Sequence, residues 1–428
     1  MVYLDDNGSA FMKLCERLVA LTNELIFCSV FKGKAKKNAQ DFTRNRKISF
    51  EELILFMLLS LKCSTQSGLR RFFTIISKNI VMKQQSLSEA RKKVTIWAFV
   101  SLFRLTATFM TEQCIIKWHN YRVYAIDGTK VALPSDRALL EYFGGLGKTK
   151  SSPTAQASAL YDVLNDIVAD AVIEPLSTDE RTLANKHIDA CIDLAPNDKK
   201  LLIYDRGYAS FRLIERHEKE GLYYLMRVKK GFNKDIDAQT KADGYIGLLQ
   251  DGKRIRVRVI KFLLDSGDEE VLITNITDRR LGKNAFKKLY FMRWPVECKF
   301  DVIKNKLQVE NFNTRTVEGV QQDFFAAMYL TNFAAAAAMD VQEEIENARK
   351  DKDNKYQYKA NMNELIGVLK DRLVLALAAD TPDQQVARIK PILDEIKQYI
   401  VPLRPERSVP RNPSPRAVKF HHNQKANC

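Results

Sequence analysis

Two β-forming runs, each closing on an aspartate, constrain this chain most. YRVYAID (121–127) ends at Asp127 before Gly128-Thr129, and KKLLIYD (199–205) ends at Asp205 before Arg206-Gly207. Both combine β-branched and aromatic residues with a turn signal, so each is expected to be a strand. Between them, 155–174 reads as two strands joined at Leu164-Asn165-Asp166, a hairpin. Thr178 or Asp179 then caps a helix to about Leu194. Further on, 211–220 reads as helix, and 222–228 and 270–276 as strands. This order predicts an α/β chain with a mixed sheet. An acid at the end of a rigid strand is well placed to aim into a cleft. Taken singly, each Asp is as well explained by an ordinary turn.

The chain has 428 residues, of which 68 are basic and 52 acidic, so its formal charge is +16. Such an excess points to a polyanionic partner, nucleic acid before an anionic membrane surface. No apolar run reads as long enough to span a bilayer, and 53–61 is short enough to be a buried helix. The seven cysteines are scattered with no CxxC pair, which argues against a zinc site and fits a reducing cytosol. FGGLGKTK (143–150) imitates a phosphate-binding loop, but Tyr142 stands where the first glycine is required, so an NTPase is excluded.

Residues 1–118 read as helical and as a DNA-binding region, with Ser86 or Ser88 capping a helix that carries Arg91, Lys92 and Lys93. Its segment 32–47 holds seven basic residues against one acid, which suits phosphate contact. The segment 119–340 is the expected core. Within it, about 226–276 is β-rich, and Arg254, Arg256 and Arg258 alternate with aliphatics, predicting a row of arginines on one strand face for DNA. Residues 341–402 are mainly helical, and the basic, Pro-rich tail 403–428 reads as disordered.

In YFMRWPVECKFDVIK (290–304), Tyr290, Arg293, Glu297 and Lys304 sit at −7, −4, 0 and +7 from the glutamate. On a regular helix these fall within roughly 60° of one another. Pro295 favours a helix start, which moves Tyr290 and Arg293 onto a preceding turn. A carboxylate beside two cations and a phenol suits a hard metal ion and phosphate oxygens.

Strand, hairpin, helix, strand is the order of a ribonuclease-H-like mixed sheet, in which Asp127, Asp205 and Glu297 are able to converge. Three carboxylates fit two Mg²⁺ ions for phosphoryl transfer, because water and phosphate complete the shell.

These motifs together resemble the DDE transposases of insertion-sequence family four. The late motif, Tyr, two residues, Arg, three residues, Glu, six residues, Lys, is matched at every spacing by Tyr290, Arg293, Glu297 and Lys304. Asp127-Gly128-Thr129 and Asp205-Arg206-Gly207-Tyr208 are similar to the family's first and second acid contexts. Thr274-Asn275-Ile276, Ser88–Lys92, Leu160–Val163 and Asp179-Glu180-Arg181 also look like family segments.

The resemblance implies a cut-and-paste transposase that cleaves transposon ends and joins them to target DNA. Asp127, Asp205 and Glu297 would be its catalytic metal ligands, for two Mg²⁺ with Mn²⁺ as substitute. Tyr290, Arg293 and Lys304 would hold the end phosphates. The partners implied are duplex DNA, as terminal inverted repeats and target, and a second copy of the chain on DNA. No membrane partner is expected, and the location is the bacterial cytoplasm at the nucleoid. A non-catalytic DNA-binding relative and a ribonuclease-H-like nuclease without strand transfer are the alternatives. In one respect the chain departs from the family. Some relatives stack a flipped base on an insertion-domain Trp, but here Trp97, Trp118 and Trp294 all lie outside it. Phe232, Tyr245 and Phe262 are the remaining aromatic candidates.

Overall fold

The computed structural model describes residues 12–59, 62–147, 150–250, 252–264, 267–350, 352 and 355–404, without the side chains of 294, 295, 297 and 298. The expected disordered tail, from 405 on, lies outside the described residues. The chain divides into two compact units that interleave along the sequence. One, mainly helical, comprises Met1–Met110, Ala132–Pro153 and Val302–Cys428; the other, sheet-based, comprises Thr111–Val131 and Thr154–Asp301.

The helical unit is built around helix Val317–Asn347. Thr316 caps it by accepting from Gly319 N–H at 3.2 Å, and its alanine-rich middle has strong helix propensity. By length and composition it could cross a bilayer, but 83% of its apolar window is buried, as in a core helix. Two of its buried polar side chains bond inside the unit: Tyr329 donates to Thr22 at 3.1 Å, and Asn332 to Thr106 at 3.2 Å. The helices read from spacing recur here as Leu14–Phe27, Phe50–Leu58, Thr65–Ile75 and Ile96–Gln113. A reciprocal Ser49–Glu52 capping box starts the second of these. Helix Gln84–Arg91 begins earlier than the sequence indicates. Lys83 is its N-cap, so Ser86 and Ser88 lie inside the helix.

The strands are β1 (Tyr121–Ala132), β2 (Gly145–Leu146), β3 (Ser152–Asp162), β4 (Ile167–Pro175), β5 (Lys199–Tyr204), β6 (Tyr223–Val228), β7 (Asp243–Gln250), β8 (Lys253–Leu263) and β9 (Glu269–Thr274). β2 pairs with the start of β3 inside the helical unit. Gly145 is required there, because a Cβ would sit 2.0 Å from the Lys150 carbonyl oxygen. In the sheet unit the strand order is β4-β3-β1-β5-β6-β9-β8-β7. β3 and β4 form the expected hairpin, and β1, β5 and β6 run parallel. This is the ribonuclease-H-like α/β arrangement. β7 to β9 extend the same sheet through antiparallel pairs at the β6 edge.

The central strands are buried on both faces. On one, Tyr124, Leu202 and Tyr224 pack on Ala184, Ile188, Leu213 and Ile214 of helices Glu180–Asp193 and Phe211–Glu220. On the other, Val123, Leu201, Ile203 and Leu225 meet Phe286 and Leu289 of helix Lys283–Phe291.

His217 is fully buried on the first face. Its Nδ1–H donates to the Leu213 carbonyl at 2.8 Å, leaving Nε2 to accept from the Tyr204 hydroxyl at 3.1 Å. Burial, aided by Arg216, pushes its pKa down to about 4 against the Leu213 hydrogen bond. A depressed histidine stabilises the fold fully above its unfolded value of about 6.5. That contribution is lost as pH falls towards 4, by about 3 kcal/mol. Urea unfolding at neutral and acidic pH is expected to show this loss, and a His217→Gln chain a smaller one.

Candidate active site

β1 does not end at Asp127 as the sequence indicates. It runs on to Ala132, so Asp127 lies within the strand and Gly128-Thr129 makes no turn. The glycine answers a close approach instead, since a Cβ on Gly128 would come within 2.9 Å of Gln156 Nε2 on β3. Asp205 stands where expected, directly after β5, and Tyr208 N–H closes its turn onto the Asp205 carbonyl at 3.2 Å.

The register brings the two acids together. Ala125 opposite Ile203 is the last pair of the parallel β1–β5 ladder, and Asp127 and Asp205 each follow it by two residues. Both then share the sheet face on which Val123, Leu201 and Ile203 are buried. Helix Lys283–Phe291 covers that face and brings Tyr290 to Asp205, to whose Oδ1 the phenol donates at 3.1 Å.

Asp205 is held below the usual carboxylate range. Burial opposes this, and is outweighed by the Arg206 N–H, the Arg293 charge, the Tyr290 hydrogen bond and the Arg227 charge. Arg227 on β6 approaches Asp205 Oδ1 at 3.8 Å and also pairs with Glu270. Burial and the charge of Asp205 push the Tyr290 phenol up to about 12, so at neutral pH it is a donor.

The late motif is not one regular helix. Helix Lys283–Phe291 stops, Arg293 occupies a turn whose N–H bonds to the Tyr290 carbonyl at 3.0 Å, and helix Trp294–Asp301 follows. Pro295 lies in the first turn of that helix, where its missing N–H costs nothing. Glu297 belongs to it, and its side chain lies outside the described residues. Lys304 falls in a π-helical turn, Val302–Lys306, of the helical unit, 3.7 Å from Glu310. The wider π turn invalidates a wheel drawn with a single 3.6-residue period.

Arg258 departs from the expected exposed row. It is 4% exposed, and its guanidinium is spent on Asp243 and on the carbonyls of Asp278 and Leu281. Beyond Arg256 the strand is covered on both faces, so alternation no longer separates inside from outside. Arg254 and Arg256 stay exposed, Arg256 stacking 4.4 Å from the Tyr245 ring centroid. Phe262 is buried, which removes it as a base-stacking surface.

Sequence reasoning assigned no role to several neighbours of the acids. Tyr208 is 2% exposed, and its hydroxyl has no hydrogen-bond partner. That hydroxyl lies 3.8 Å from where a Gly128 Cβ would be, in the electrostatic field of Asp127, Glu180 and Asp205. Glu180 approaches the same turn, because Gly207 leaves the space its carboxylate needs. Ser158 donates to the Asp127 carbonyl at 2.9 Å and meets His187 Nε2 at 3.0 Å, while Asp170 meets Nδ1 at 2.8 Å. Tyr208 stood in the quoted Asp-x-Gly-Tyr motif; no signal marked the Ser158–His187–Asp170 chain.

Residues 118–333, or 216 of 428, match the family model described as transposase DDE domain. The chain belongs to the DDE transposase family. Asp127, Asp205 and Glu297 all fall within the matched segment. Membership makes the chemistry that of DNA transposition, a nucleotidyl transfer, in a family that generally uses divalent metal ions. Among solved structures, the chain is similar to the piggyBac transposase of a cryo-EM synaptic complex with hairpin DNA. The two are 11% identical over 91% of this chain and 87% of that one, with a TM-score of 0.47. No curated protein matches the chain.

The donor chemistry of this transposase domain fits a hard divalent ion. The carboxylates of Asp127 on β1 and Asp205 just after β5 both act on the buried Tyr208 phenol, whose hydroxyl has no partner. Among the described residues no three ligating side chains gather.

Proposed function

We propose that the chain is the transposase of an insertion sequence of family four, working by cutting and pasting duplex DNA. It would cleave the terminal inverted repeats and join the freed 3′ ends to a target, acting as a dimer on the two ends. Asp127, Asp205 and Glu297 would hold two Mg²⁺. The observation that carries this reading is the parallel β1–β5 ladder, whose last pair lies two residues before Asp127 and Asp205, with Tyr290 of the late motif bonded to Asp205.

Bound there, the ion pair supplies activation of the attacking oxygen and stabilisation of the leaving one. The chain's residues do the rest. Tyr290 fixes one oxygen of Asp205. Arg227 and Arg293 keep Asp205 ionised at neutral pH, so it enters the reaction as a ligand rather than an acid. Ser158 holds the backbone at Asp127 through its carbonyl. Arg293, Arg254, Arg256 and Lys304 would contact phosphates, whereas Arg258 serves the packing of β8.

The test is a duplex carrying the element's end, incubated with Mg²⁺ and a target duplex. Metal-dependent nicking followed by joining supports the proposal. Nicking without joining identifies a nuclease, and binding with no cleavage identifies a non-catalytic relative; either outcome overturns it.

Tyr208→Phe separates a functional from a structural hydroxyl. Removing a buried hydroxyl that has no partner is expected to leave urea stability unchanged or raise it by about 1 kcal/mol. Cleavage is expected to fall about tenfold, because a positioned donor beside the two acids is lost. Unchanged cleavage at equal stability would remove Tyr208 from the site.

A further inference from the structure

The helical unit contains a groove of about 1080 Å³ to which the chemistry above gives no role. Its walls come from Lys62–Thr65, from helix Gln84–Arg91 with Lys92, and from the entry to helix Val317–Asn347. The first turns of two capped helices line it, behind Ser64 and Thr316. Both present the positive end of a helix dipole.

The charged side chains divide into spent and available groups. Of the acids in the wall, Asp323 is bound to Arg91 at 2.8 Å and Glu318 to Lys37. Arg91 is used up in the process, donating also to Gln322 and to the Gly319 carbonyl. Lys62, Lys92 and Arg315 remain as cations of the wall, with Ser88 and Thr314 beside them as neutral donors. Lys92 meets only Glu89, across a pair in which both side chains are over 60% exposed, and such a pair is easily exchanged. Arg315 is exposed. Lys62 is half-buried with its ammonium 5.8 Å from the Phe312 ring centroid. Burial lowers its pKa, Asp323 opposing and Arg91 adding, and Lys370, affected by burial and by Lys62, is pushed down to about 8. A partly buried ammonium group beside a second cation is relieved by an anion. A groove of about 1080 Å³ has room for more than a single phosphate.

We propose that this groove holds the sugar-phosphate backbone of duplex DNA, with Lys62, Lys92 and Arg315 on phosphates and Ser88 and Thr314 donating to backbone oxygens. This rests on the DNA transposase reading and names the helical unit's contact with the same substrate. Because the contacts go to phosphates, they position the duplex and carry no sequence information.

The experiment measures binding of a labelled duplex to the full chain across a range of salt concentrations. Lys62→Gln/Lys92→Gln/Arg315→Gln is expected to weaken binding at least about tenfold and to make the log–log salt slope shallower by about 2 to 3. Lys390→Gln, an exposed position on helix Pro382–Ile396, is expected to change the slope by less than about 0.5. Lys92→Gln/Arg315→Gln alters exposed residues only and is expected to reduce the slope by about 1 to 2, whether or not the Lys62 change disturbs the fold. Native chain that binds duplex with a slope unchanged in both groove variants overturns the groove and leaves the transposase reading standing. Native chain that binds no duplex overturns both.

Discussion

Asp205→Asn is expected to lower metal-dependent strand cleavage at least about 10³-fold while leaving duplex binding intact. The substitution keeps the shape and an oxygen to accept from Tyr290, and removes only the charge. Asp205 is ionised at neutral pH because Arg206 N–H, Arg293, Tyr290 and Arg227 outweigh its burial. The loss therefore falls on the carboxylate's work as a ligand. Stabilisation by a bound metal is worth several kcal/mol, and about 4 kcal/mol corresponds to three orders of magnitude. Binding is expected to hold or to tighten, since a negative charge facing phosphates disappears. Urea stability is expected to stay within about 1 kcal/mol, because the side chain is 39% exposed. Single-turnover cleavage of an end duplex checks the rate, and cleavage within tenfold of the native chain would remove Asp205 from the catalytic set.

The second large effect is structural. Arg122→Leu is expected to destabilise the sheet unit by about 3 to 5 kcal/mol. The Arg122 side chain is 1% exposed and donates to Asp162 and Asp198 at 2.9 Å and to the Thr111 and Cys114 carbonyls at 2.8 and 2.6 Å. Asp162 in turn accepts from Asn165, whose side chain binds both backbone groups of Ile116. One guanidinium thus joins the approach to β1, the hairpin turn and the start of β5. Without it Asp162 is a buried, uncompensated charge. Burial has already raised Asp162 to about 6 against the pull of Arg122. An acid raised in the fold binds its proton more tightly there, so lower pH favours the folded state through the window between about 4 and 6. The Leu variant should accordingly lose less stability at pH 5 than at pH 8, and Arg122→Leu/Asp162→Leu less than the single change. Urea titrations at the two pH values decide the point.

Much of the site was legible because its parts are local. The β-rich runs carrying Asp127 and Asp205, the hairpin between them and the Asp179 cap depend on short-range propensity and turn chemistry, and they stand close to where residue types indicate. The Tyr290–Lys304 spacing singled out the stretch whose Tyr290 bonds to Asp205. Its geometry was not legible, because a helix wheel assumes one period, and the chain stops at Phe291, restarts at Trp294 and widens at Val302. Arg258 was misjudged for a related reason: alternation sorts inside from outside only where one face of a sheet meets water, and β8 is covered twice beyond Arg256. The scattered cysteines fitted a reducing cytosol; among the described residues Cys15, Cys28, Cys114 and Cys191 are free, whereas Cys63 is disulfide-bonded.

The sequence by itself determined the element order, the β-forming runs that carry Asp127 and Asp205 and the basic balance that suits a polyanion, since each follows from residue type and neighbours within a few positions. Tertiary structure alone decided that β1 pairs in parallel with β5 and that Tyr208 is buried in the field of the acids. It alone decided that Arg258 is consumed within the fold and that Lys62, Lys92 and Arg315 share one groove. These depend on register and on packing between segments far apart in the chain, and no local pattern of residues encodes either.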